Sequence, residues 1–168
     1  CEGHRMVKVV KFGGSSLANA EQFKKVKNIV ESEAVRRYVV PSAPGKRFGK
    51  DTKVTDMLYA CYKKADRDED FREDLAKIRE RYEEINRYLG LGYDLQPEFD
   101  IIEKNFAEKT GKDYAASRGE YLNGLLLSAY LGIAFIDSKD IIFFDENGNN
   151  DVPKTLAAIA GKLTDYDR

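Results

Sequence analysis

Two cysteines and a single histidine are too few for a disulfide framework or a histidine–cysteine metal centre. Cys1 and Cys61 therefore fit a reducing, cytoplasmic setting. His4 lies in the polar leader Cys1-Glu2-Gly3-His4-Arg5, which reads as a cloning remnant ahead of a native start at Met6. No apolar run approaches the roughly 20 residues that cross a bilayer, and no apolar core of the signal-peptide kind follows the start. The reading is of a chain without a membrane segment. A basic excess is missing as well: 28 Lys and Arg face 29 Asp and Glu, for a net charge of -1. Nucleic-acid surfaces need clustered positive charge, so no nucleic-acid partner is expected. Internal repeats, low-complexity segments and linkers are also absent.

What the sequence does contain is a globular composition, 42% apolar and 34% charged over 168 residues. That is enough chain for one domain with a real core, or one domain and part of another. The stretch Val7-Lys8-Val9-Val10-Lys11-Phe12-Gly13-Gly14-Ser15-Ser16 begins with β-branched residues and ends in a glycine pair between a lysine and two hydroxyls. It reads as strand, anion-binding loop, helix. Adjacent glycines let backbone N–H groups approach an oxyanion, Lys11 adds a mobile charge, and the serines add hydroxyl donors. An ordinary strand-to-helix turn would look the same.

A helix is expected over Ala20 to Arg36, with Asn19 and Gln22 spaced as a capping box. Tyr38-Val39-Val40 is a second strand, stopped by Pro41. Lys46 to Lys53 is an exposed loop, and a helix follows at about Thr55 to Ala65. Strand, helix, strand, helix implies a parallel crossover, with both loops at the carboxyl edge of the sheet where ligands bind. Asp66 to Leu89 has apolar residues every three or four positions and a closing Gly90, the pattern of an amphipathic helix. Its charge run Arg79-Glu80-Arg81-Tyr82-Glu83-Glu84 reads as a solvated face. Pro97 opens a further helix to about Lys109. Tyr121 to Leu131 is apolar almost all round, as in a helix buried against a sheet. Gly132 ends it, Ile133 to Asp137 and Ile141 to Phe144 read as strands, and Pro153 opens a last helix.

Three clusters carry candidate chemistry: Lys11 to Ser16, Ser42 to Gly45 with Thr55-Asp56, and Ser117 to Glu120. Thr55 could cap its helix or donate to a ligand carboxylate. Ser117-Arg118-Gly119-Glu120 has capping-box spacing, yet a carboxylate there could equally meet a ligand ammonium.

Lys11-Phe12-Gly13-Gly14-Ser15-Ser16, then Val40-Pro41-Ser42-Ala43-Pro44-Gly45 with Val54-Thr55-Asp56-Met57-Leu58, then Ser117-Arg118-Gly119-Glu120 resembles the aspartate kinases of the amino acid kinase superfamily. The likeness covers essentially the whole chain from Met6. It implies an α/β fold, a three-layer α/β/α sandwich with a mainly parallel sheet. It also implies ATP-dependent phosphorylation of the β-carboxylate of L-aspartate to 4-phospho-L-aspartate, the first step toward lysine, threonine and methionine. By the same resemblance Lys11 faces the ATP phosphates and stabilises the transferring group, with Gly13, Gly14 and Ser15 lining that site. Ser42, Thr55 and Glu120 would bind aspartate, Glu120 at the α-ammonium. Mg2+ would bridge ATP phosphates, held mainly by substrate and water oxygens, and the full-length enzyme would be a homo-oligomer.

The departures are specific. Ser15 stands where the family usually has threonine, Pro41 precedes Ser42, and Lys46 to Lys53 is longer than in many relatives. The family's later Gly-Ser-Asp segment, its substrate-binding arginine, its nucleotide-binding half and its regulatory domains have no counterpart. Residues 6–168 are therefore expected to be the amino-terminal, aspartate-binding part of a kinase domain, with an incomplete sheet and little or no turnover by this chain alone. Another superfamily kinase, acting on glutamate, acetylglutamate, carbamate or a nucleoside monophosphate, would share the glycine loop. A ligand-sensing or interaction module is the non-catalytic alternative.

Overall fold

The computed structural model describes residues 6–166. The leader and its inferred cloning origin lie outside the described residues. The chain forms two compact units, one ending at Gly132 and the other beginning at Ile133.

In the first unit, β1 (Lys8–Phe12) and β2 (Arg36–Pro41) pair in parallel, with Lys11 opposite Val40 and Phe12 opposite Pro41. Between them run a short 3-10 helix (Gly14–Leu17) and α1 (Ala20–Glu31). Asn19 caps α1 as expected, its side chain accepting from the Gln22 N–H at 3.1 Å. The helix stops five residues short of Arg36, because Arg36 and Arg37 join the second strand. Parallel strands demand such a crossover, and α1 supplies it by burying Phe23 and Val26.

Four more helices complete this unit: α2 (Val54–Asp66), α3 (Arg72–Leu89), α4 (Gln96–Ala107) and α5 (Lys112–Leu131). The expected helix from Asp66 begins instead at Arg72. Asp66 ends α2, and Asp68 takes a left-handed conformation (φ 59°) that breaks the path between them. Gly90 closes α3 at φ 64° and Gly132 closes α5 at φ 68°, left-handed conformations that glycine adopts at least cost.

The helix α5 is the hub, touching α1, α2, α3, α4 and β2. Its middle is buried on every side from Leu122 to Leu127, which is why its sequence shows no polar face. It begins nine residues before Tyr121, however, so Ser117–Glu120 lies inside the helix. Neither Ser117 nor Glu120 caps anything: the Ser117 hydroxyl donates back to the Tyr114 carbonyl at 2.7 Å. Around α5 the core gathers Leu17, Phe23, Leu58, Ile78, Tyr82, Ile102 and Phe106. Cys61 is part of it, and burial pushes its thiol up to about 12, so it stays protonated and unreactive.

The second unit holds a corner and α6 (Val152–Thr164). Neither strand expected after Gly132 forms. Ile133 to Asp137 has no regular structure, and Phe144 makes one antiparallel bridge to Asn150 across the turn. A strand is stable only when a ladder of its N–H and C=O groups meets a neighbouring strand, and among the described residues these segments gain only that single bridge. Asp145 organises the turn by accepting from the N–H groups of Asn147 and Asn149 at 2.9 and 2.8 Å, bonds that hold its carboxyl below the usual range. Asp151 caps α6, with Pro153 in its first turn. Among the described residues no helix is long and apolar enough to cross a membrane.

Because α5 is packed from all sides, truncating its fully buried Leu126 leaves a void that no single neighbour fills. We expect Leu126→Ala to lower unfolding free energy by about 2–5 kcal/mol. A denaturant midpoint unchanged from the parent chain would refute the central placement of α5.

Candidate functional site

A cleft of about 460 Å³ opens where the loops after β1 and β2 meet the start of α2 and the middle of α5. The volume falls within the range of small-molecule sites. Gly14 and Ser15 come from the first loop, Ser42 to Lys46 from the second, Lys53 and Thr55 from the start of α2, and Glu120 from α5. The sequence clusters expected at one sheet edge do converge there.

The two loops meet backbone to backbone. The Gly45 N–H donates to the Gly14 carbonyl at 2.8 Å, and the Ser42 N–H to the Phe12 carbonyl at 3.0 Å. A side chain at Gly45 would place its Cβ 2.6 Å from the Gly14 carbonyl carbon, and one at Gly14 would come within 2.9 Å of the Ala43 oxygen. Glycine is required at both positions by this close approach. Gly119 serves the same end on α5, where an added Cβ would lie 2.7 Å from that of Ala43. The side chain of Asn123, one helical turn after Glu120 and fully buried, donates to the Ser42 carbonyl at 2.8 Å. Ser42 is thus held through both its N–H and its C=O.

Ser15, Ser42, Thr55 and Glu120 line this cleft with side chains that make no hydrogen bond or ion pair among the described residues. Thr55 does not cap α2: Lys53 occupies the cap position, and no side chain bonds there. The capping readings of Thr55 and Glu120 both fall, leaving two polar side chains without a hydrogen-bond partner among the described residues. Lys11 and Gly13 are not in the walls of the cleft. Lys11 is exposed at the end of β1, and Gly13 has open space where a side chain would go.

Sequence reasoning missed the support behind this cleft. The charge run on α3, read as solvated, contains two buried residues, Arg81 and Tyr82. The Tyr82 hydroxyl donates to the Gly119 carbonyl at 2.9 Å, from a site where burial pushes its pKa well above the usual phenol value and keeps it protonated. The Arg81 guanidinium donates to the Gly45 carbonyl at 2.7 Å and the Thr52 carbonyl at 2.9 Å, and lies 3.5 Å from the Asp51 carboxylate. Burial opposes its charge, the nearby Arg47 adds to that opposition, and Asp51 offsets part of it. Arg81 and Tyr82 fall on successive positions where the 3.6-residue apolar stripe passes, and that stripe was the available signal.

Asp51 is the counterweight. Its carboxylate accepts from the Arg47 side chain at 2.8 and 3.1 Å and from the Arg47 N–H at 2.9 Å. The Arg47 hydrogen bond is the chief reason its carboxyl sits far below the usual range, with the Thr52 N–H and Arg81 contributing.

The family model for the amino acid kinase family matches residues 6–164, and the chain belongs to that family. It is similar to aspartokinase 3 of Bacillus subtilis, 37% identical over 159 residues that cover 87% of this chain and 35% of that protein. A crystal structure of Clostridium acetobutylicum aspartate kinase superposes with a TM-score of 0.90 at 46% identity, covering 94% of this chain and 36% of that one. Escherichia coli aspartokinase III, solved in complex with aspartate and ADP, shares the fold with a TM-score of 0.72 at 23% identity, over 94% of this chain and 37% of that one. The chain spans about a third of the length of these relatives. The α/β fold with a parallel sheet inferred from the sequence is the fold of this family.

A folded-state carboxyl that is harder to protonate than the unfolded one stabilises the protein above the unfolded value, about 3.9, and loses that contribution as pH falls below it. Between pH 5 and pH 3 we expect the denaturant midpoint to fall more steeply in the parent chain than in Asp51→Asn. Parallel pH profiles for the two would count against the Asp51–Arg47–Arg81 cluster.

Proposed function

We propose that this chain is the amino-terminal, aspartate-binding part of the catalytic domain of an aspartate kinase, which transfers the γ-phosphoryl group of ATP to the β-carboxylate of L-aspartate. The observation that carries the reading is the unspent Glu120 carboxylate, fixed on a buried helix and facing a cleft that Ser42 and Thr55 also enter. A carboxylate so placed suits the α-ammonium of an amino acid, and two hydroxyls suit carboxylate oxygens.

The residues present fit a bound nucleotide phosphate. Beside Gly13 there is room that no protein atom takes, Ser15 offers a hydroxyl, and Lys11 an uncommitted ammonium at the end of β1. No three of His, Cys, Asp and Glu converge among the described residues. On the same reading a Mg2+ ion would be held mainly by phosphate and water oxygens. MgATP supplies the phosphoryl group and part of the charge neutralisation. The chain's own contribution is positional: Glu120 orients the substrate amine, Ser42 and Thr55 hold the acceptor end, and Lys11 offsets charge on the transferring group. The whole enzyme would act as a homo-oligomer in the cytoplasm, at the entry to lysine, threonine and methionine synthesis.

The test is ADP release by the protein expressed from its complete reading frame, with L-aspartate or L-glutamate as acceptor. Release with aspartate and not glutamate is expected, and preference for glutamate would overturn the assignment. Glu120→Gln keeps the shape and removes the charge, so aspartate binding should weaken by about 1.5–3 kcal/mol. Because Glu120 caps nothing, its folding stability should stay within about 0.5 kcal/mol of the parent.

A further inference from the structure

Two lysines in the walls of the cleft, Lys46 and Lys53, belong to none of the expected site residues. Every other charge that the intervening loop turns inward is neutralised within the protein. Arg47 pairs with Asp51 at 2.8 Å and with Glu84 at 3.1 Å, and Asp51 also faces Arg81. Lys46 and Lys53 pair with nothing among the described residues, although each has a fixed origin. The Arg81 guanidinium, 4% exposed, binds the carbonyls of Gly45 and Thr52, the residues immediately before the two lysines. One buried side chain therefore fastens both ends of the loop at the points where these lysines leave it.

The charge pattern of the cleft is two ammonium groups and one carboxylate. A dicarboxylic amino acid carries the inverse, two carboxylates and one ammonium. We infer that Lys46 and Lys53, held in place by Arg81, are substrate-binding residues that face the carboxylates of an acidic amino acid while Glu120 faces its ammonium. This inference rests on the proposed function and extends it to the long loop, giving that loop a role in choosing acidic over neutral substrates. Both lysines are exposed, so their effect is electrostatic and sensitive to salt. Arg81 touches no substrate and is a positioning residue; its planar fork spans two carbonyls, which a lysine ammonium on a flexible stem does not reproduce.

The experiment is steady-state kinetics on the protein from its complete reading frame, comparing the parent with a Lys46→Gln/Lys53→Gln double variant. We expect the aspartate KM to rise at least tenfold, with the ATP KM and the melting temperature essentially unchanged. Added salt should raise the aspartate KM of the parent more than that of the variant. Arg81→Lys should raise the aspartate KM in the parent background and add less than twofold in the double variant, a coupling that a merely structural role would not produce. An aspartate KM within twofold of the parent overturns the inference while leaving the proposed function intact, and so does a rise confined to the ATP KM. Turnover of glutamate alone that depends on the lysines would keep them as carboxylate ligands and overturn the aspartate assignment. Turnover with neither acid would overturn both.

Discussion

The constraint on which the cleft depends is the contact between two glycines far apart in sequence. Gly14 and Gly45 close to within the distance at which any side chain would collide with backbone, and a hydrogen bond of 2.8 Å joins them. Parallel strands deliver two loops to one edge, but they do not make those loops touch. The missing Cβ atoms do, and what remains between the loops and α5 is the cleft. Backbone hydrogen bonds tie its walls together, Ser42 to Phe12, Gly45 to Gly14 and Val54 to Pro44.

Behind the recess, α3 does the work that a second sheet strand or a disulfide does elsewhere. A guanidinium taken almost fully out of water is costly unless its donors are met, and here carbonyls and a carboxylate meet most of them. Its Nε has no partner among the described residues, which leaves the arrangement short of full satisfaction. The same is true of the Asn123 side-chain oxygen, whose amide nitrogen supports Ser42. Two incompletely satisfied polar side chains behind one cleft indicate that local geometry there has been set by something other than stability alone.

Much of this was legible in the sequence, and the failures have physical causes. Strong periodicity located five of the six helices, and glycine or proline marked most of their ends. The first half of α5 was not found because Gly119 and the Ser117–Glu120 spacing imitate a helix start. Only the packing of Gly119 on Ala43 shows that the glycine is there for proximity. Two strands after Gly132 were read from apolar runs, although a strand is defined by its neighbour and not by its own residues. In the site, the convergence of Gly14, Ser15, Ser42 and Thr55 followed from loop placement, whereas Glu120, inside α5, was joined to them only by the family resemblance. Arg81, Tyr82 and Asn123 stayed hidden because their importance lies in which distant carbonyl each one reaches, and no local pattern encodes that.

The placement of Glu120 in the interior of a helix, with the carbonyl before it tied to Tyr82, gives the cleft a fixed origin from which a ligand is measured. A carboxylate on a loop could shift with its backbone; the backbone under Glu120 belongs to the buried helix, so only its side-chain torsions are free to adjust. On the aspartate-binding reading proposed above, chain length would become a matter of reach, and an acid with one additional methylene would have to bend to fit. Selectivity of this kind is a property of the backbone scaffold, and it limits how far substitutions around the rim alone could retune it.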